Sequence, residues 1–178
     1  MTMLDIPELE TERLRLRPHR PDDFEAYAAI WTDPLVVRFI GGVPMTREAS
    51  WTRFLRQIGL WYHLGYGFFA VEHKATGAFI GDCGFHDLHR DITPSIEGTM
   101  EAGWALSSAV HGQGLASEAM RACLDWAAAH GTGDRLTCII NPANVASLGL
   151  AAKLGFAEVA RASYHEQPIV MLKRPRRT

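Results

Sequence analysis

Residues 100–130 read MEAGWALSSAVHGQGLASEAMRACLDWAAAH, and this stretch decides the fold. Its pattern predicts a strand over 100–106, a small polar loop over 107–114 and a helix over 115–130. The apolar residues of this helix share one face: Leu115, Ala119, Ala122, Cys123 and Trp126. A strand that passes through glycines into a helix leaves backbone N–H groups free at the positive end of the helix dipole. Such a junction binds phosphate oxygens, so we expect a phosphate-bearing ligand here.

Three classes of phosphate-binding loop are candidates for this position. A P-loop needs a lysine after its last glycine, and none follows here. A Rossmann turn needs a shorter loop and a third glycine, where this chain has Ser117. The segment HGQGLASEAM (residues 111–120) instead resembles the Q/R-x-x-G-x-G/A motif of the GNAT acetyltransferases, in the form of their RimJ/RimL-like branch. The leading Gln or Arg falls at Ala109, so its side chain is missing, whereas a backbone cradle does not depend on it.

The rest of the chain alternates strands and helices. We expect strands over 13–17, 68–73, 78–85, 136–140, 158–164 and 169–173, and helices over 21–31, 47–64 and 145–154. Thr46 and Asn144 are expected to cap the last two helices. The predicted apolar face of the helix at 47–64 carries Trp51, Phe54, Leu55, Ile58 and Tyr62. This order predicts an α/β (mixed α+β) fold, with a mixed central sheet of about six to seven strands and helices on both faces.

A second motif extends the resemblance over most of the chain. Asn144, Ser147 and the KLGF segment at 153–156 fit the NxxS…KLGF pattern of the same branch. The resemblance covers residues 13–173 and implies the GNAT acyl-coenzyme A N-acyltransferase fold. We therefore expect a single domain over 1–178, with its core at about 13–173 and a basic tail at 174–178.

Composition narrows the classes of function. The chain is 47% hydrophobic and 21% charged, which is typical of a globular protein. Its formal net charge of −2 gives no reason to expect nucleic-acid or acidic-membrane binding. The three cysteines form no CxxC pair, the first residues are too acidic for a signal peptide, and no apolar run is long enough to span a membrane. We therefore expect a cytoplasmic protein.

The resemblance implies acetyl-coenzyme A as cosubstrate and a primary amine as acceptor. An amine attacks only when neutral, so a nearby group must take its proton. Glu101, on the strand that leads into the loop, is the expected base, directly or through an ordered water, and Glu97 is the second choice. A main-chain N–H near Ala105 or Leu106 is expected to stabilise the developing oxyanion.

The coenzyme is expected to contact residues in and around the loop: Ala105, Leu106, Val110, His111, Gly112, Gln113, Gly114, Leu115, Ala116, Asn144 and Ser147. Many GNAT enzymes protonate the leaving thiolate with a tyrosine, but Ala151 occupies that position here. Ser147 or a water is therefore expected to replace it, which makes Ser147 the second catalytic candidate beside Glu101. His86 and His89 are expected to be ordinary loop histidines, and no metal is expected.

The favoured function is direct acetyl transfer from acetyl-coenzyme A to a protein N-terminus or a small-molecule amine, in a ternary complex. A non-catalytic acyl-coenzyme A-binding module is the main alternative, because Ala109 and Ala151 depart from the family pattern. A nucleotide-binding regulator is a third. GNAT proteins are often dimers, so the analysis also allows for a homodimer.

Overall fold

The computed structural model describes residues 5–130 and 135–175. The predicted turn at 131–134 and the end of the basic tail, 176–178, lie outside the described residues. The strands are β1 (Leu9–Glu10), β2 (Leu14–Arg17), β3 (Phe68–His73), β4 (Ala78–His86), β5 (Met100–Leu106), β6 (Arg135–Ile140), β7 (Ala157–Tyr164) and β8 (Gln167–Pro175). The α-helices are α1 (Phe24–Thr32), α2 (Pro34–Val37), α3 (Arg47–Leu64), α4 (Leu115–Ala129) and α5 (Val145–Lys153).

The described strands form one mixed sheet in the order β1-β2-β3-β4-β5-β6-β8-β7. Among the described strands only β5 and β6 pair in parallel, and every other neighbouring pair is antiparallel. The predicted mixed sheet is confirmed, with eight strands instead of six to seven. The additional strand, β1, has two residues, which is too short to produce a sequence pattern.

Helices cover both faces of the sheet, as expected. Cys83 on β4 has its sulfur 3.6 Å from that of Cys123 on α4, whereas the carboxylate of the preceding residue, Asp82, accepts a hydrogen bond from Gln57 on α3. Successive side chains of a strand point to opposite faces, so α4 and α3 pack against opposite faces at this point.

Local capping chemistry sets the helix boundaries largely as predicted. Thr46 accepts a hydrogen bond from the N–H of Ala49 and begins α3, which ends at Gly65 with φ of 73°. Asn144 caps α5 in the same way, through the N–H of Ser147. The short apolar segment after Asp33 forms the four-residue helix α2, which the sequence pattern did not predict.

The prediction of which residues form the buried face of α3 is wrong. Phe54 is buried, but the other four residues are 42–71% exposed: Trp51, Leu55, Ile58 and Tyr62. The buried face instead includes Ser50 and Gln57. Gln57 can be buried because its amide donates to Asp82 (3.2 Å), so hydrogen bonding rather than apolar character places this residue inside.

A buried ion network ties β2 to β3 and to the turn that precedes α1. The guanidinium of Arg17 donates twice to Asp23 (both 2.8 Å) and once to Glu72 on β3 (2.7 Å). All three residues are buried. Removing the arginine would leave buried Asp23 without its cation and Glu72 with only the more distant Arg15 (3.4 Å), which is strongly unfavourable.

We therefore expect Arg17→Leu to lower the free energy of unfolding by about 3–5 kcal/mol, as for other buried pairs that lose one partner. Urea denaturation at pH 7 measures the change. The matched control is Arg161→Gln, which breaks an exposed pair with Glu158 and should leave stability unchanged within error. Equal effects of the two substitutions would contradict a structural role for the buried network.

Candidate active site

Strands β5 and β6 run side by side over only two residue pairs, Met100 with Leu136 and Glu101 with Thr137. Beyond these pairs β5 stays bonded to β4, while β6 stays bonded to β8. The two strands therefore diverge, and their peptide groups that face the gap have no partner strand. This V-shaped opening in the middle of the sheet can accept a ligand that carries its own amide groups.

A cavity of about 300 Å³ lies at this opening. Its walls come from β5 and β6, from α3 and the segment after α2, and from the turn between β7 and β8. Four predicted site residues line it: Glu101, Ala105, Asn144 and Ser147. The volume lies at the lower end of the range for small-molecule sites.

The glycine loop lies outside this cavity and is exposed over residues 111–114. Gly112 and Gly114 both have φ of 77°, a left-handed conformation that glycine adopts without strain. Gly114 is the N-cap of α4, and the N–H of Glu118 donates to its carbonyl at 3.1 Å. The N–H groups at 115–117 precede this bond, so they have no acceptor within the helix. The loop thus has the geometry of an anion-binding helix start.

Glu118 anchors the loop, a role that the sequence analysis did not assign. Its carboxylate accepts hydrogen bonds from the hydroxyl of Thr11 (2.6 Å), the backbone N–H of Arg13 (2.8 Å) and the Arg13 guanidinium (2.7 Å). Arg13 also donates to the carbonyl of Gln113 at 3.0 Å. The first turn of α4 and the glycine loop are thereby tied to the segment before β2.

Glu101 lies in a cluster with His86 and with Arg90, to which the sequence analysis gave no role. The prediction that His86 is an ordinary loop histidine is wrong, because His86 is buried at the end of β4. His86 is opposite Glu101 across the β4–β5 ladder, and its Nε2 lies 3.1 Å from Glu101 Oε1. Arg90 Nε donates to Glu101 Oε2 at 2.7 Å. The loop after β4 returns over the sheet and brings Arg90 to the carboxylate. Both carboxylate oxygens therefore have a close partner.

The cluster has defined charge states at neutral pH. Burial raises the pKa of Glu101, but contacts with His86 and Arg90 outweigh it, so the pKa is lowered and the carboxylate is ionised. Burial lowers the pKa of His86 more than Glu101 raises it, so the imidazole is neutral. Among described residues, His86 Nε2 makes no aligned hydrogen bond. An ionised carboxylate beside a neutral imidazole can accept a proton.

Ser147 and Asn144 lie together on the other wall of the cavity. Asn144 Oδ1 accepts the N–H of Ser147 at 3.1 Å, and the indole N–H of Trp104 on β5 donates to the Ser147 hydroxyl at 3.3 Å. The serine hydroxyl thus accepts one hydrogen bond and keeps its own proton to donate. Ala151 is fully buried in the core, and its methyl side chain has no proton to donate.

The remaining predicted site residues either pack against the core or are exposed. Leu115 is buried in the core, and Val110 and Ala116 are half-buried against it. The exposed His111 has its Nε2 2.9 Å from the carbonyl of Leu106, to which it donates. The second candidate base, Glu97, is exposed, contacts His89 at 2.8 Å and does not line the cavity.

The described residues contain no group of three or more His, Cys, Asp or Glu side chains arranged to hold a metal ion. Over residues 5–130 and 135–175, none of the helices combines the length and hydrophobicity that a membrane span requires. The three cysteines are free thiols and all are buried.

These features are those of a known enzyme family. The family model described as "Acetyltransferase (GNAT) domain" matches residues 13–157, and the chain belongs to this family. The chain is an acetyltransferase by family and carries the GNAT fold.

Three individual relatives are each less than 30% identical to this chain. The chain is 28% identical to an uncharacterized N-acetyltransferase, p20, of Bacillus licheniformis, over 83% of this chain and 81% of that protein. A GNAT-family acetyltransferase from Bordetella pertussis is 29% identical and superposes with a TM-score of 0.83, covering 95% of this chain and 99% of that one. The ribosomal L7/L12 α-N-protein acetyltransferase RimL in complex with coenzyme A shares the fold at 16% identity, with a TM-score of 0.76 over 95% and 98% of the two chains.

The buried thiols should take no part in transfer. Contact with the Cys123 sulfur and burial raise the pKa of Cys83, and burial with the charge of Glu101 raises that of Cys138, which lines the cavity. Incubation with acetyl-coenzyme A in the absence of amine should therefore leave the intact mass of the protein unchanged. An acetyl adduct that disappears in Cys138→Ala would contradict this expectation and indicate a covalent route.

Proposed function

We propose that this protein transfers an acetyl group from acetyl-coenzyme A to a primary amine by direct attack in a ternary complex. The observation that carries the proposal is the divergence of β5 and β6, which joins an anion-binding helix start to a cavity with a buried, ionised carboxylate. The coenzyme would supply an acetyl thioester, and the protein would bind both substrates and move protons.

The donor half of the site fits the coenzyme. The loop at 110–116 would bind the pyrophosphate through backbone N–H groups, and the gap between β5 and β6 would bind the pantetheine arm through its amides. Asn144 and Ser147 lie on the cavity wall beside that gap. This arrangement would hold the thioester against the cavity.

One backbone donor is oriented to stabilise charge on the acetyl carbonyl. Ser107 donates its N–H to Ile80 on β4 at 2.8 Å. Peptide directions alternate along a strand, so the N–H of Leu106 points away from β4, toward the gap, and that of Ala105 points toward β4. We therefore assign the oxyanion donor to Leu106 rather than Ala105.

Proton movements would involve groups on both walls. Glu101, through an ordered water or with His86, would accept the proton of the attacking amine, since an acceptor lysine or α-amine is mostly protonated at pH 7. On the other wall the Ser147 hydroxyl, oriented by Trp104, would donate to the leaving thiolate. A thiolate leaves with little assistance, so the serine would have the smaller effect.

The class of acceptor, the location of the protein and its domain organisation are also proposals. The RimJ/RimL-like motifs and the fold shared with RimL support an amine acceptor, either a protein N-terminus or a small molecule. We further propose a cytoplasmic protein built as a single domain, and sedimentation velocity would test whether it forms a homodimer.

One experiment separates transfer from simple coenzyme binding. Calorimetric titration with acetyl-coenzyme A measures binding, and release of free thiol over a panel of amines measures transfer. Binding with amine-dependent thiol release supports the proposed function. Binding without release for any amine would indicate the non-catalytic module, and no binding would contradict the assignment of the loop.

Substitution in the loop should abolish coenzyme binding. Gly112→Val or Gly114→Val places a β-branched side chain at a left-handed position where the backbone must approach the phosphates. The matched control is Gly77→Val in the β3–β4 turn, which has φ of 68° and open space around it. All three variants should lose similar stability, about 1–2 kcal/mol, but only the loop variants should lose calorimetric binding. Normal binding by both loop variants would refute the loop assignment.

Glu101→Gln should lower turnover by about 10²-fold near pH 7, the low end for loss of a general base, with little change in coenzyme affinity. The glutamine keeps the shape and the contact with Arg90 but cannot take a proton. The deficit should shrink as the pH approaches the pKa of the amine, where no base is needed. A deficit that stays constant from about pH 6 to 9.5 would mean that Glu101 positions the substrate.

The matched control is Glu97→Gln, which changes an exposed carboxylate outside the cavity and should leave turnover unchanged. Thermal unfolding of both variants checks the fold. Loss of cooperative unfolding in Glu101→Gln alone would indicate that the carboxylate is structural, as a partner of half-buried Arg90.

A further inference from the structure

The cavity has the opposite charge to the chain as a whole. The formal net charge of the chain is −2. Among the described residues, the charged side chains that line the cavity are three arginines, Arg38, Arg53 and Arg90, and one carboxylate, Glu101. The carboxylate is already paired with Arg90 at 2.7 Å. The acceptor side of the cavity therefore has two cations in excess.

Arg53 is the inner of these two cations. It projects from α3, and its guanidinium carbon lies 3.8 Å from the centroid of the Trp31 ring, which also lines the cavity. In residues 5–130 and 135–175 no carboxylate lies within ion-pair distance of Arg53, and its Nε is buried without a hydrogen-bond acceptor. Arg53 as a whole is only half-buried and lines the cavity, so a guanidinium without a carboxylate partner is available there to an anionic ligand.

Neighbouring cations strengthen the positive potential. Arg56 follows Arg53 by three residues on α3, and its Nε is also buried without an acceptor in the described chain. Arg38 is exposed, follows α2 and lies at the cavity wall with its guanidinium over the Phe39 ring. Such a cluster repels a polycationic amine and attracts an anion, which a guanidinium can bind through two parallel hydrogen bonds.

We propose that the acceptor is a small primary amine that also carries a carboxylate or phosphate, and that Arg53 and Arg38 bind this anionic group while the amine lies toward Glu101. The inference rests on the proposed acetyl transfer and specifies its substrate class. The cavity of about 300 Å³ suits a small molecule. Arg53 and Arg38 are then specificity-determining residues, and Arg90 remains the partner of Glu101.

The test compares amines that differ in one anionic group. Glycine is paired with glycinamide, 4-aminobutyrate with 4-aminobutanamide, and 2-aminoethyl phosphate with ethanolamine. The first two pairs test a carboxylate at two distances from the amine, and the third tests a phosphate. The anionic member of at least one pair should have a kcat/KM at least about tenfold higher, as expected for one charge-assisted hydrogen bond. The polycation spermidine should be a poor acceptor.

Substitutions assign the preference to the two arginines. Arg53→Gln and Arg38→Gln should each reduce the ratio of kcat/KM within the preferred pair, while Arg53→Lys should retain part of it. Arg47→Gln is the control, because Arg47 is exposed on the same helix and is paired with Glu25 away from the cavity. It should leave the ratio unchanged. If Arg53→Gln fails to fold, the exposed Arg38 variant still decides the question.

Three outcomes would overturn the inference. Equal kcat/KM within every pair would overturn it while leaving acetyl transfer intact, and so would a ratio that both arginine variants preserve. If the protein binds the coenzyme but releases no thiol with any of the amines, the proposed function and this inference are both overturned.

Discussion

The site depends on the short parallel contact between β5 and β6. Two residue pairs hold the strands together at one end, and separate antiparallel partners, β4 and β8, hold them beyond that point. Each partner bonds its strand along its length, so the gap cannot close without breaking one of these ladders. Unpaired peptide groups are thus kept inside a sheet, where they can bind a ligand instead of a strand.

The same contact determines where charge can be buried. Glu101 is the last β5 residue paired with β6, so its side chain lies at the point where the opening begins. A lone buried carboxylate would take up a proton, whereas Arg90 and His86 keep this one ionised. The ion pair also weakens Glu101 as a base. In the proposed reaction a neutral His86 at 3.1 Å, or a water, would then help to move the proton.

The sequence predicted features that depend on nearby residues. The position of the glycine loop before α4, the caps at Thr46 and Asn144 and the apolar face of α4 were confirmed, because each depends on residues within one or two helical turns. The apolar face of α3 was predicted wrongly, because Gln57 is buried through hydrogen bonds to distant elements. The roles of His86 and Arg90 require the β4–β5 register and the return of the following loop, which no local pattern encodes.

The two halves of the proposed site also differ in whether they depend on nearby residues or on long-range pairing. The proposed donor half consists mainly of backbone groups in one continuous segment, so its chemistry can be recognised from glycine spacing. The acceptor half consists of side chains from the segment after α2, from α3, from the loop after β4 and from the β7–β8 turn. Long-range pairing brings these segments together, and each can change without affecting the loop. Family membership therefore indicates the group that is transferred, whereas the charge of the acceptor cavity is the better guide to the molecule that receives it.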